Sequence, residues 1–195
     1  QNKVWVGLSK ETAHQLGTPI SSLMAWMDLL ESSGVDSSLL SDMNKDVNRL
    51  SVIAERFSKI GSKPEMELIY VNEVLENATE YMRRRVSDKV LITTHLPSDA
   101  EGAMVCLSLF EWVIENLCKN AVDAMNGEGR IDVYMTSEKQ QIYIDIKDTG
   151  KGIARKNFKT VFNPGYTTKK RGWGLGLTLA KRIIEDYHAG RIYVK

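Results

Sequence analysis

Apolar positions near the start of the chain fall at Ala13, Leu16, Ile20, Leu23, Met27 and Leu30, spaced alternately three and four apart. That spacing predicts a heptad seam on one helix. The stretch "SSGVDSS", residues 32–38, carries turn chemistry and a serine fit to cap the next helix. A second seam follows at Met43, Val47, Leu50, Ala54 and Phe57, ending near Gly61 with Pro64 just beyond. Two such helices joined by a short loop form an antiparallel hairpin. A lone hairpin buries both seams poorly, so pairing of two hairpins into a four-helix bundle, a homodimer, is expected.

The period changes after "GSKPE". "ELIYV" reads as a strand, residues 72–85 as an amphipathic helix, "KVLITTHL" as a strand and residues 108–125 as a long helix. "GRIDVYMTS" and "QQIYIDIKD" alternate with period two, and "EKQQ" between them predicts a hairpin turn. Residues 175–187 read as a last helix closed at Gly190, and "RIYVK" as the beginning of another strand. The expected organisation is a helical hairpin over residues 1–62 and a second domain over residues 63–195, with segments before Gln1 and after Lys195 expected in the natural protein.

Hydrophobic residues make up 43% and charged residues 26%, with a formal net charge of +1. Such a balance is that of an ordinary globular chain and gives no reason to expect nucleic acid as a partner. No apolar run is long enough to span a bilayer, so a membrane is expected only through segments outside this chain. Cys106 and Cys118 lie in apolar runs without metal-type spacing, and read as reduced core residues of a cytoplasmic protein.

Three stretches of the second region carry candidate chemistry. In "WVIENLCKNAVDAM", Asn116, Asn120 and Asp123 share one helical face. Amide oxygens and a carboxylate suit a hard cation that keeps most of its waters, and a solvated polar stripe is the plain alternative. "DTGKGI", residues 148–153, follows a strand. Its glycines let the backbone approach a flat ligand, and Asp148 can accept from an exocyclic amine. In "GYTTKKRGWGLGL", Gly172, Gly174 and Gly176 open a helix beside Lys169, Lys170 and Arg171, a pattern suited to phosphate though lacking the Walker sequence.

Taken in this order, the three stretches resemble the ATP-binding domain of sensor histidine kinases, within the superfamily that includes DNA gyrase and the mismatch-repair ATPases. "ENLCKNAVDAM" is similar to its N box, "DTGKGI" to its G1 box, "NFKTVFNPGYTT" to its F box and "GWGLGL" to its G2 box. "AHQLGTPISSL" resembles the H box of the family's dimerisation and phosphotransfer hairpin. The resemblance implies an α+β chain: a hairpin dimerising into a four-helix bundle, then an α/β sandwich with helices on one face of a mixed sheet.

It further implies ATP and Mg2+ as cofactors and these residue roles. Asn120, with Asn116, would hold magnesium. Asp148 would read adenine in a pocket shaped by Gly150 and Gly152. Gly172, Gly174 and Gly176 would form a lid, anchored by Phe158 and Phe162, and contact the phosphates through the backbone, with Lys169 and Leu177 also among the nucleotide-binding residues. His14 would accept phosphate from ATP and pass it to an aspartate on a response-regulator receiver domain. The family's ATPase branch carries a glutamate four residues before the magnesium asparagine. Asn116 stands there instead, a poor base, which disfavours attack by water.

His14 lies one place past the seam, so its ring should point outward, and imidazole changes charge near neutrality. Pro19, five residues on, should kink the helix. The family usually places an acid directly after the histidine, where this chain has Gln15. An amide can accept the imidazole's hydrogen bond but not its charge. Glu11, three residues before His14, is the expected stand-in, and Thr18, four residues after, is placed to assist removal of phosphate from the partner. Two other readings remain open: a nucleotide-binding dimeric scaffold with weak or no kinase activity, and a kinase of serine on a partner protein. His95 and His188 read as structural, His188 as a partly charged ring at a helix end.

Overall fold

The structure is a computed structural model that describes residues 2–168 and 174–195. It divides into two compact units, Gln1–Pro64 and Glu65–Lys195.

The first unit is a hairpin of α1 (Asn2–Ser32) and α2 (Ser37–Gly61). Helix α1 runs unbroken through Pro19. It ends in a Schellman arrangement: Gly34, at φ 77°, donates to Glu31 O, and Val35 N donates to Leu30 O. The N-cap of α2 is Asp36 rather than a serine. Its carboxylate accepts from both the backbone N and the Oγ of Ser38, each at 2.7 Å. Both residue types satisfy the same orphan amides, and the charged one prevails here.

Within the hairpin the seams divide their residues. Ile20, Met27, Leu40 and Val47 are buried, whereas Leu23, Leu30, Met43 and Leu50 remain 37–41% exposed. One apolar layer closes the hairpin and the next faces outward. Near the open end, Gly61 lies so close to α1 that an added methyl would stand 2.8 Å from Lys10 N and 2.9 Å from Lys10 Cα.

The second unit contains β1 (Glu67–Tyr70), α3 (Val71–Arg83), β2 (Val90–His95), β3 (Gly102–Val105), α4 (Leu107–Ala124), β4 (Gly129–Glu138), β5 (Gln141–Asp148) and α5 (Gly176–Arg182). Strands β1 and β3 form an antiparallel pair. In the other ladder β4 is central, parallel to β2 and antiparallel to β5, so the sheet is mixed. The β4–β5 connection is a two-residue turn with Lys139 and Gln140 both at positive φ. Alternation on β4 sends Ile131, Val133 and Met135 into a core shared with Leu75 and Met82 of α3 and with Phe110, Ile114 and Cys118 of α4. Ile142, Ile144 and Ile146 of β5 pack against that core. Burial pushes the Cys118 thiol up to about 11, with Glu115 adding to it, as suits an inert core thiol.

Three expectations are corrected. Strand β3 had not been anticipated. The last helix is α-helical only over Gly176–Arg182 and widens into a π turn over Ile183–Tyr187. It is closed by Ala189 at φ 50°, while Gly190 N donates to Ile184 O. Arg191–Lys195 joins no ladder among the described residues.

On the sheet face away from that core, Asp132 is nearly buried between His95 Nε2 (2.9 Å) and Arg130 Nε (2.8 Å), and His95 stacks on Tyr134 at 4.3 Å. The hydrogen bond from His95, assisted by Arg130, lowers the Asp132 carboxyl below its ordinary value against the opposing effect of burial. The folded-state value lies below the unfolded one. The stabilisation is therefore present above the ordinary carboxylate value of about 4 and is lost as pH falls through the folded value. Asp132→Asn should lower stability at neutral pH, with the difference from wild type shrinking below pH about 4 in urea denaturation. Gly61→Ala should lower stability by about 1–3 kcal/mol, read as a reduced thermal midpoint, because the new methyl meets backbone rather than a movable side chain.

Candidate functional site

The hairpin presents His14 on the exposed surface of α1. An open groove of about 530 Å³ runs beside it, flanked by Ala13, Gly17, Thr18, Ser21 and Ala25. Small side chains make the groove. The hydroxyls of Ser21 and Ser22 turn back to Gly17 O (2.9 Å) and Thr18 O (3.2 Å) on their own helix. Thr18 lies one turn past His14, on the same side.

Gln15, which replaces the expected acid, is not isolated. Its amide Nε2 donates to Glu11 Oε1 at 2.7 Å, an i, i+4 contact. The Gln15 amide nitrogen is thereby committed, and its carbonyl oxygen is the group left to accept from a ring N–H. Glu11 acts on Gln15.

In the second unit, α4 carries Asn116 and Asn120 on the side where α5 begins. A methyl added to Gly176 would lie 3.9 Å from Asn120 Nδ2 and 4.0 Å from Asn116 Oδ1. Asn116 Nδ2 is buried without a hydrogen-bond partner among the described residues. An orphaned buried amide costs about 1–3 kcal/mol unless something meets it. The small residue at 176, the two amides and the orphaned donor fit a phosphate group with its hydrated cation. Asp123, the third member of the polar face, is exposed.

The end of β5 closes against the end of α4. Gly150 N donates to Asp148 Oδ1 at 2.8 Å, and Lys151 N donates to Ala124 O at 3.2 Å. A side chain at 150 would stand 2.7 Å from Asp148 Oδ1 and 2.8 Å from Ala124, so glycine is obligatory there. Asp148 is half-buried, with one carboxylate oxygen held by that turn and the other left for a ligand. Gly152 takes φ 71°. Thr149 Oγ1 accepts from Arg130 N at 3.0 Å and ties the turn to β4.

The F-box and G2-box stretches meet at their bases. Gly165 N donates to Gly174 O at 3.2 Å, and Gly174, at φ 64°, approaches Gly165 so closely that a methyl would fall 2.6 Å from its carbonyl carbon. Phe162 is buried, and its carbonyl accepts from Thr178 Oγ1 at 3.0 Å. Phe158 and Leu177 are half-buried. Lys169, Lys170, Arg171, Gly172 and Trp173 lie outside the described residues.

Sequence reasoning missed Thr178, the Gln15–Glu11 pair and the role of His188. That ring accepts from the Cys106 backbone N–H, so it is a neutral acceptor rather than a cation at a helix end. Thr178, four residues past Gly174, and the i, i+4 pair were within reach of spacing arguments. The His188 contact joins residues 82 apart and left no local trace.

Among the described residues, no helix is long and apolar enough to cross a membrane, and no cluster of three or more His, Cys, Asp or Glu could hold a metal.

Residues 107–195 match the family described as histidine kinase-, DNA gyrase B-, and HSP90-like ATPase. Over 96% of its length the chain is 25% identical to Sporulation kinase A of Bacillus subtilis (strain 168), covering 32% of that protein. Over 93% it is 28% identical to Signal transduction histidine-protein kinase AtoS of Escherichia coli (strain K12), covering 31%. The chain thus spans about a third of the length of these curated relatives. Two solved structures share its fold. Full-length ShkA in complex with AMPPNP superposes with a TM-score of 0.66 at 18% identity, over 91% of this chain and 40% of that one. Histidine kinase ThkA in complex with response regulator protein TrrA gives 0.58 at 18%, over 96% and 56%. Residues 107–195 thus carry the likeness to the histidine kinase-, DNA gyrase B- and HSP90-like ATPases, and over nearly its whole length the chain is similar to sensor histidine kinases.

Proposed function

We propose that the chain is a protein-histidine kinase core: it binds ATP in its second unit, transfers the γ-phosphate to His14, and passes it to an aspartate of a response-regulator receiver domain. The observation that carries the reading is the Asn116 side chain, whose oxygen lies toward Gly176 beside Asn120 and whose buried nitrogen has no partner among the described residues.

In this reading Asp148 reads the adenine amine through its unengaged oxygen, in the turn that Gly150 permits. Asn116 and Asn120 would hold the hydrated magnesium ion and a phosphate oxygen. When bound, magnesium neutralises the negative charge that builds between the β- and γ-phosphates. Gly174 and Gly176 bring backbone close to the phosphates, and Lys169, Gly172 and Leu177 complete the loop over them. An unprotonated ring nitrogen of His14 forms the nitrogen–phosphorus bond as the bond from γ-phosphorus to the β,γ-bridging oxygen breaks and ADP leaves. Gln15 Oε1 accepts from the other ring N–H and fixes the tautomer, and Glu11 holds the amide of Gln15 in that orientation. The proton released on phosphorylation goes to solvent, because an amide cannot take it.

Thr18, on the groove beside His14, would orient the water that removes phosphate from the partner aspartate. The outward apolar layer supports homodimerisation. Leu23, Leu30, Met43 and Leu50 gain on the order of 1 kcal/mol each when a second hairpin covers what remains exposed. The structure of a relative's complex with a response regulator supports the choice of partner.

Incubation with magnesium and γ-labelled ATP tests the reading. Wild type should acquire acid-labile, base-stable label that His14→Ala lacks. Glu11→Gln should slow labelling by about tenfold or less, the scale of one charge-assisted hydrogen bond lost at second hand. ATP binding with no label in wild type would favour the scaffold reading, and base-labile, acid-stable label would mark a serine kinase.

A further inference from the structure

The helical run that starts at Gly176 ends in the π turn Ile183–Tyr187, and His188 follows it. Such wide turns are rare and are retained where something needs their geometry. Both nitrogens of the His188 ring are engaged. Nδ1 lies 2.8 Å from Ile183 O, and Nε2 lies 3.0 Å from the backbone N of Cys106. A carbonyl only accepts, so Nδ1 carries the proton. A backbone N–H only donates, so Nε2 carries the lone pair. One tautomer of the neutral ring meets both demands.

Cys106 is the residue from which α4 starts, and its side chain caps nothing on that helix. Phe110, in the first turn of α4, packs beside the imidazole at 6.1 Å between centroids. The ring therefore joins the end of the α5 run to the beginning of α4. At the other end of the same run, Gly176 faces Asn116 and Asn120 of α4. The two elements that build the nucleotide site are thus fastened together at the end remote from it.

We propose that His188 is a positioning residue: a neutral, single-tautomer latch between the π turn and the start of α4 that sets where Gly176 meets Asn116 and Asn120. The proposal rests on the nucleotide reading above. A proton added at Nε2 removes the acceptor and points a second donor at the Cys106 N–H, so the latch opens on ring protonation. Among neighbouring charges, Glu101 before β3 and Arg191 after the ring line a cavity together with His188. On its own helical run, Lys181 pairs with Glu185 and Arg182 with Asp186. Phe110, Val113, Ile114 and Leu117 are what α4 contributes to that cavity.

Two measurements on the full 195-residue chain test it. Ring ¹⁵N NMR at pH 8 should find His188 protonated at Nδ1 and bare at Nε2; the opposite tautomer would overturn the proposal. Calorimetric titration with ATP and magnesium at pH 8 should compare wild type with His188→Gln, whose amide oxygen can still accept from Cys106, and with His188→Ala. His188→Ala, still folded by circular dichroism, should bind about five- to tenfold more weakly than wild type, the equilibrium worth of one such hydrogen bond, and His188→Gln should recover most of that loss. Wild-type affinity in folded His188→Ala, or a His188→Gln no better than His188→Ala, would refute it. If His188→Ala does not fold, a loss of about tenfold in His188→Gln would refute it. Failure of wild type to bind ATP at pH 8 would instead sink the nucleotide reading, and the tautomer would still decide whether the latch exists.

Discussion

The structure turns on the contact between the polar face of α4 and the first residue of α5. Gly176 brings the backbone to within a methyl's reach of two asparagine amides. One of those amides has a buried nitrogen with no partner among the described residues. A fold does not leave such a donor empty without cost, and the cost is recovered when a ligand accepts from it. Other local features of the unit serve this contact. The Gly150 turn locks β5 against the end of α4, Thr178 ties α5 to Phe162, and Gly165 and Gly174 close the base of the loop between them.

In the hairpin the governing constraint is how a seven-residue repeat shares its apolar positions. Alternate seam residues close α1 on α2, and the others remain exposed. His14 falls outside both layers and lies exposed on α1. Gln15 would be a weak partner alone. Joined to Glu11, its amide is held in one orientation, so a neutral residue can do the orienting part of the work that an acid does elsewhere.

Much of this was legible in the sequence because it is periodic or local. Ile20, Met27, Leu40 and Val47 announce a seam, and Ile131, Val133 and Met135 announce a strand with one buried face. The polar face of α4 and the glycines after β5 could be read from spacing. Other features depend on partners that spacing cannot show. Strand β3 is four residues of "GAMV", too short and too small to display a period, and it exists because β1 pairs with it. "RIYVK" has strand character but no ladder, since a strand needs a neighbour as well as a pattern. A cap at Asp36 rather than Ser37 or Ser38 is a contest among equals that local geometry decides. His188 was misread as a charge at a helix end because its decisive contact, to Cys106, is remote in sequence.

The central claim is that the orphaned amide of Asn116 awaits a nucleotide phosphate. The most direct measurement is NMR of the asparagine side-chain amides during titration with magnesium and ATP, with adenosine as the comparison. The account predicts that the Asn116 side-chain signals move with ATP and stay in place with adenosine, which lacks phosphate. Equal movement with both ligands, or none with ATP while the protein binds it, would contradict the account.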